Sequence, residues 1–222
     1  MVNKVLLANG IAAFLFLAGG VVELAFCLVV RSQRDDVATE GKEAVRNLLY
    51  QDFPLTAGIV NAAFTLVAFL VMTLALLTNS KGWLRFGGYA VAFCGLFTMC
   101  VGVFLWVMTL TIGEEFFDTY LGLEPETQSL IQASFECCGY KSSSEPPFII
   151  DEVCPSPAAA ALLRGCKPFI ASFSNLLLDN IFTAVFGVVG IDALFVLAIA
   201  CLHKERVEIE RYRHIDEKTG YL

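Results

Sequence analysis

Residues 55–77 read LTAGIVNAAFTLVAFLVMTLALL and contain no charged side chain. A helix of this length crosses roughly 30 Å of hydrocarbon at about 1.5 Å per residue. Three further apolar runs occupy Val5–Val30, Gly88–Thr111 and Phe173–Leu202. Hydrophobic types make up 57% of the 222 residues and charged types only 17%. This pattern predicts an all-α membrane protein with a four-helix transmembrane bundle. It excludes a soluble enzyme, a DNA-binding domain, a disordered chain and an outer-membrane barrel.

The four runs divide the chain into spans, loops and tails. The predicted spans are 5–30, 55–77, 88–111 and 173–202. The remaining segments are tails at 1–4 and 203–222, a small loop at 31–54, a short turn at 78–87 and a large loop at 112–172. The first run is longer than the 7–15 apolar residues of a signal peptide, and no small-residue cleavage pattern follows it. We therefore expect the first run to be a retained helix.

The distribution of basic residues predicts the orientation. The two tails and the short turn hold eight of the fifteen Lys and Arg residues in 34 positions, whereas the two loops spread seven over more than twice that length. The positive-inside bias then places both termini in the cytoplasm and both larger loops outside. The acidic excess falls in the outer loops, which makes nucleic acid an unsuitable partner.

Four of the eight cysteines, Cys137, Cys138, Cys154 and Cys166, lie in the large loop. An even number of cysteines in one extracellular segment indicates two disulfides. A zinc site would use spaced cysteine pairs and usually histidine, and this loop contains no His. Because neighbouring cysteines do not readily bridge each other, Cys137 and Cys138 each need a distant partner, and two connectivities remain open. Gly139 follows and can supply the positive φ of a sharp reversal.

The Cys137-Cys138-Gly139 motif, with two further cysteines before the fourth span, resembles the signature of the tetraspanin family. The resemblance covers the whole chain, including the small first loop and the short turn. It implies that Cys137 pairs with Cys166 and Cys138 with Cys154. The family places a Pro–Ser element beside the third cysteine, and here the order is altered to Cys154-Pro155-Ser156-Pro157.

The resemblance implies a non-enzymatic membrane organiser. Such a protein binds partner membrane proteins laterally and through its large extracellular loop, and assembles them with lipids into microdomains. It is expected in the plasma membrane or an endosomal membrane, in homo- or hetero-oligomers. The compact loop and tail resemble those of fungal tetraspanins linked to the penetration structures of plant-infecting fungi. Within the loop, Phe148 and Ile149 are the candidate partner contacts, with packing against the loop's own helices as the alternative interpretation.

Three polar residues within the spans, Asn9, Glu23 and Asp192, are candidate functional groups. Asn9 and Asp192 match polar positions of the family, whereas Glu23 is an addition and the family's polar residue in the third span is missing. Charged groups at such depth should face the bundle interior. One interpretation is a polar internal cavity, which in the family can hold a sterol or another lipid. Hydrogen bonding between helices is the interpretation we favour.

Two features concern the cytoplasmic end of the fourth span. Cys201 lies where S-palmitoylation is typical. Tyr212 and Ile215 match the tyrosine-x-x-bulky-apolar sorting pattern, although so short a pattern often occurs by chance.

Three other functional classes were weighed. A transport or channel protein would use Glu23 and Asp192 along its pathway, but a bundle of four helices leaves little room for a pore. A claudin-like junction protein would need a cysteine pair in loop 31–54, which has none. An enzyme is not indicated because both histidines, His203 and His214, lie in the tail and no nucleophile–base set is visible. The sequence predicts no catalytic residue, metal site or bound cofactor.

Overall fold

The computed structural model describes residues 4–78, 80–145 and 147–219, apart from the side chains of His214 and residues 216–219. Within these ranges the chain forms helices and no β-strand. The helices are α1 (Lys4–Gln33), α2 (Gly41–Gln51), α3 (Leu55–Leu77), α4 (Lys81–Leu121), α5 (Pro125–Phe135), α6 (Pro157–Ala160) and α7 (Lys167–Thr219). The predicted cytoplasmic segment 1–4 lies outside the described residues except for Lys4, and so does the end of the predicted tail after Thr219.

Helices α1, α3, α4 and α7 are each long and apolar enough to cross a membrane. Lipid offers backbone groups no hydrogen-bond partners, so an apolar run must satisfy them within a helix. The prediction of a multi-pass, all-α membrane protein is confirmed. Three helices continue beyond the predicted spans 5–30, 88–111 and 173–202: α1 reaches Gln33, α4 covers Lys81–Leu121 and α7 covers Lys167–Thr219.

The chain divides into two compact units. The first, which we call the membrane unit, comprises the described parts of segments 1–27, 56–102 and 184–222. The second, which we call the loop unit, comprises segments 28–55 and 103–183. Parts of all four long helices form the membrane unit, and the two disulfides lie in the loop unit.

Close packing in the membrane unit depends on glycines of α4 at every seventh position. A Cβ atom at Gly88 would lie 3.2 Å from Ile199 Cγ2, and one at Gly95 would lie 3.1 Å from Asp192 Cβ. A Cβ atom at Gly102 would lie 2.7 Å from a ring carbon of Phe186. All three contacts are with α7, so the small residues let these two helices approach closely, as the seven-residue spacing predicts.

The part of α7 after the predicted span is fixed to the turn between α3 and α4. The guanidinium of Arg206 donates to the carbonyl oxygens of Ala75 at 3.1 Å, Leu76 at 3.4 Å and Ser80 at 3.4 Å. The carbonyl groups of Ala75 and Leu76 belong to the last turn of α3, where carbonyl oxygens have no hydrogen-bond donor within the helix. Lys81 and Glu210 form an ion pair beside this contact.

In the loop unit, α2 packs against α5. Helix α2 lies in the segment 31–54 that we treated as a plain loop, and the sequence analysis did not predict it. The contact needs Gly41, because a Cβ atom there would lie 2.2 Å from the Leu130 carbonyl oxygen. The Gly41 N–H donates to Ser134 Oγ at 2.8 Å. A core of buried side chains surrounds this contact: Ala44, Val45, Phe116, Tyr120, Ile131, Cys137, Tyr140, Cys166 and Ile170.

Replacing Gly41 by Ala is expected to destabilise the loop unit. The added methyl group meets backbone atoms of α5, so the two helices must separate, at a cost of about 1–3 kcal/mol. Thermal unfolding of the purified protein in detergent should show a lower midpoint. Gly122→Ala is the matched control, because a Cβ atom at Gly122 meets nothing closer than 3.5 Å. Equal midpoints for the two variants would contradict close packing of α2 on α5.

Candidate functional sites: the disulfide domain and the polar groups of the bundle

Two disulfides join the adjacent residues Cys137 and Cys138 to two later positions of the large loop. Cys137 is bonded to Cys166 with a Cα–Cα distance of 5.0 Å, and Cys138 to Cys154 with a distance of 6.0 Å. All four cysteines are fully buried. Of the two connectivities that the sequence left open, the structure has the one that the tetraspanin resemblance implies. The small, disulfide-stapled, mainly helical domain is therefore confirmed.

Gly139 reverses the chain directly after the paired cysteines. Its φ of 71° lies in the left-handed region, as predicted from its position. The reversal is fixed by hydrogen bonds on both sides: the Gly139 N–H donates to Gln132 Oε1 at 3.2 Å, and its carbonyl oxygen accepts from the Cys166 N–H at 2.9 Å. The turn thus links α5 to the disulfide at the start of α7.

Gln132 of α5 connects this turn to the segment before Cys154. The side chain is fully buried, and Oε1 also accepts from the Ile149 N–H at 3.2 Å. Its amide Nε2 donates to the Ile149 carbonyl oxygen at 2.9 Å and to Asp151 Oδ2 at 2.7 Å. One glutamine therefore fixes both backbone groups of Ile149.

Asp151 continues the same network. Its Oδ1 accepts from the backbone N–H groups of Val153 at 3.0 Å and Cys154 at 2.7 Å, and Ser129 Oγ donates to Oδ2 at 3.2 Å. A carboxylate that accepts several N–H hydrogen bonds holds a loop backbone firmly, because charge-assisted hydrogen bonds are stronger than neutral ones. Together with Gln132, Asp151 gives the segment 149–154 one defined conformation.

The predicted partner contacts Phe148 and Ile149 are half-buried. Phe148 packs against the cluster formed by Cys138, Cys154 and Ala160. The side chains that project most strongly from this part of the loop are instead Ile150, which is 75% exposed, and Leu162, which is 88% exposed. Pro146, which belongs to the same apolar stretch, lies outside the described residues.

Tyr140 forms the aromatic centre of the loop unit. Its ring packs on Phe116, Phe117 and Tyr120, with ring centroids 5.0–6.4 Å apart. Its hydroxyl donates to the Gly113 carbonyl oxygen at 3.2 Å. Burial raises the pKa of the Tyr140 hydroxyl, so the phenol stays neutral at physiological pH. The residue after the Cys-Cys-Gly turn is therefore a core residue.

Among the polar groups of the bundle, Asn9 and Glu23 each join different helices. Asn9 is fully buried, and its amide donates to the carbonyl oxygens of Val5 at 3.0 Å and Ala198 at 2.9 Å. Asn61 Nδ2 donates to both carboxylate oxygens of Glu23, at 3.1 Å and 3.0 Å, and to Thr98 Oγ1 at 2.8 Å, so one of its two N–H groups is shared between two acceptors. These bonds connect α1 to α7 and α1 through α3 to α4.

Asp192 of α7 is buried and lies against Gly95 of α4. Glu23 and Asp192 are not joined by a hydrogen bond. The missing polar residue of the third span is replaced in part by Thr98, whose hydroxyl also donates to the Cys94 carbonyl oxygen at 2.9 Å. The polar groups therefore form hydrogen bonds and packing contacts between helices.

The predicted modification and sorting residues are accessible. The Cys201 thiol is free and exposed, and the side chains of Tyr212 and Ile215 are exposed to solvent. All three lie on the continuous helix α7.

Sequence reasoning missed three residues that organise these sites. Asn61 was visible as a lone amide within the quoted apolar run, and such a residue needs a partner in lipid. Gln132 and Asp151 gave no comparable signal, because polar residues on a loop helix and in a turn are usually solvated.

No protein-family model, curated protein or solved structure matches the chain.

Replacing Gln132 by Leu is expected to destabilise the disulfide domain. The substitution keeps the side-chain volume but leaves the N–H groups of Gly139 and Ile149 without a partner, at about 1–3 kcal/mol for each buried group. The thermal midpoint of the purified protein should fall, and limited proteolysis should cut first near residues 149–153. Gln51→Leu changes an exposed glutamine at the end of α2 and serves as control. A Gln132→Leu protein as stable and protease-resistant as the control would refute the organising role.

Proposed function

We propose that this protein is a non-enzymatic membrane organiser of the tetraspanin type, which gathers partner membrane proteins into lipid-anchored assemblies. The observation that carries the proposal is the disulfide domain, in which exposed apolar side chains sit on a rigidly fixed backbone. The Cys-Cys-Gly motif and the likeness of the loop and tail to fungal tetraspanins favour the same role. A place in the penetration structures of a plant-infecting fungus is the most specific form of the proposal.

Ile150 and Leu162 are the proposed centre of the partner surface. Apolar side chains that project this far from a small domain are favourable to bury against another protein. The backbone is fixed on both sides of Ile150: Gln132 bonds to Ile149 before it, and Asp151 and the Cys138–Cys154 disulfide fix Cys154 after it. A rigid backbone lowers the entropy lost on binding, which favours recognition through a small area. Phe148 and Ile149 support this surface from beneath.

The proposed orientation places both termini in the cytoplasm and the disulfide domain outside the cell or in an endosomal lumen. Oxidised cysteines are stable in those compartments and are reduced in the cytosol. In this orientation the Arg206 contact and the exposed Cys201 face the cytoplasmic side. Cys201 is the proposed palmitoylation site, and Tyr212 with Ile215 is the proposed sorting signal, which would direct the protein between plasma membrane and endosomes.

Transport is the competing function. It requires a pathway that uses Glu23 and Asp192, whereas Glu23 is bonded to Asn61, which also lies close to Thr98. Purified protein reconstituted in liposomes is expected to give no selective ion flux. Selective flux that Asp192→Asn abolishes would overturn the organiser proposal.

Ile150→Glu and Leu162→Glu are each expected to reduce the recovery of partner proteins severalfold in a mild-detergent pull-down. Each change places a charge where the proposed interface is apolar, and neither side chain supports the fold. Val37→Glu is the control, because Val37 is equally exposed but lies in segment 31–54. Recovery that stays constant in both loop variants, with disulfides intact by non-reducing peptide mapping, would refute the proposed surface.

Cys201→Ser is expected to remove most of the signal in an acyl-exchange assay for S-palmitoylation. Cys100→Ser is the matched control, because Cys100 is also a free, exposed thiol but lies in the interior of α4. An undiminished signal in Cys201→Ser would exclude this site.

A further inference from the structure

A large open groove lies in the loop unit beside the N-terminal part of α7. It has a volume of about 960 Å³ and is lined by the last residues of α5, by Lys42 of α2 and by residues 168–179 of α7. The predicted fourth span begins at Phe173, so the groove extends from the disulfide domain onto the apolar part of α7. A ligand in this groove would contact both polar and lipid-like surroundings.

The groove contains charges of both signs that have no partner among the residues that the structure describes. Its charged side chains are Lys42, Glu136 and Asp179. Within the described part of the chain, none of the three forms an ion pair or a side-chain hydrogen bond. An unpaired carboxylate on a membrane-spanning helix is costly in free energy. A cationic ligand group beside Asp179 would offset that cost.

Asn175 adds a hydrogen-bond acceptor one helical turn before Asp179. Its Oδ1 atom is buried and has no hydrogen-bond partner within the described part of the chain. Buried polar atoms are normally paired, and each exception needs an explanation. A ligand group that carries N–H donors would satisfy either carboxylate, and it would also reach Asn175 Oδ1 once that side chain turns into the groove that it lines.

Glu136 is held in a backbone conformation that suits glycine better. It caps the C-terminal end of α5 with φ 51° and ψ 50°, and no other non-glycine residue has a positive φ in the described chain. Glycine is the usual residue at such a position because a Cβ atom is strained there. Strained positions persist where the side chain has a use. The Glu136 carboxylate lines the groove, where it can bind a cationic ligand group.

The apolar part of the groove continues along α7. Phe169 and Leu176 line it and are exposed, Leu176 by 66%. These side chains provide a surface for hydrocarbon next to the charged groups.

We propose that this groove binds a zwitterionic phospholipid with a primary ammonium group, as in phosphatidylethanolamine. Lys42 binds the phosphate, since an ammonium is a good partner for it. The ethanolamine ammonium donates to Asn175 Oδ1 and to the carboxylates of Glu136 and Asp179. The acyl chains lie against Phe169 and Leu176.

The charge pattern separates this ligand from other lipids. A choline headgroup carries no N–H donor and leaves Asn175 Oδ1 unsatisfied. An anionic glycerol headgroup supplies no cation for the two carboxylates. A sterol supplies neither a phosphate for Lys42 nor a cation.

The test is native mass spectrometry of the delipidated full-length protein, titrated separately with phosphatidylethanolamine, phosphatidylcholine and phosphatidylglycerol. Phosphatidylethanolamine is expected to bind about tenfold more tightly than either other lipid, equivalent to about one charge-assisted hydrogen bond. Free phosphoethanolamine at the same concentrations should not bind, because it lacks acyl chains for Phe169 and Leu176. Equal affinity for the three lipids, or equal binding of the free headgroup, would overturn the proposal.

The variants Asp179→Asn and Lys42→Gln are each expected to weaken phosphatidylethanolamine binding about tenfold. Both side chains are exposed and unpaired, so the thermal midpoint should not change. Glu152→Gln removes an exposed carboxylate outside the groove and should leave the affinity unchanged. Unchanged affinity in Asp179→Asn and Lys42→Gln would refute the site.

Glu136→Gly separates binding from folding. Glycine relieves the left-handed backbone strain, so the thermal midpoint should rise while the affinity for phosphatidylethanolamine falls. A purely structural role of Glu136 predicts no loss of affinity in this more stable variant, and that result would count against its part in the site.

Discussion

The loop unit depends on the covalent constraint at Cys137 and Cys138. Two neighbouring residues are bonded to Cys166 at the start of α7 and to Cys154 in the preceding loop. Each bond restricts the unfolded chain and contributes roughly 2–4 kcal/mol. A domain of this size has a small hydrophobic core, so this contribution is a large fraction of its stability. The Gln132 and Asp151 network builds on the position that the bonds define.

The membrane unit depends on a different physical rule. In lipid the helices gain little by burying apolar side chains, so close packing and hydrogen bonds between helices carry the association. Gly88, Gly95 and Gly102 bring α4 against α7. Asn9 and Asn61 supply hydrogen bonds between helices in the interior. Both units thus use close approach of helices at glycine, and the loop unit adds covalent bonds to it.

The sequence allowed the four long helices, the Gly139 turn and the glycine packing to be predicted, because each follows from one local pattern. The length of an apolar run is enough to predict a membrane-spanning helix. A chain reversal directly after paired cysteines needs a positive φ, which glycine adopts most easily. Helix α2 and its contact with α5 were missed, since the contact depends on the absence of a side chain at Gly41, which no periodicity reveals. Gln132 was missed for a related reason: its partners are backbone groups of distant residues. The exposure of Ile150 in place of Phe148 depended on how the disulfides fold the loop.

The contact of Arg206 with the end of α3 has a consequence for the tail. A helix fixed at its base behaves as a stiff rod, unlike a flexible tether. Tyr212 lies six residues further on, so its backbone stands about 9 Å beyond Arg206 along the axis. A protein that bound Tyr212, as proposed, would therefore be held at a fixed distance and direction from the bundle.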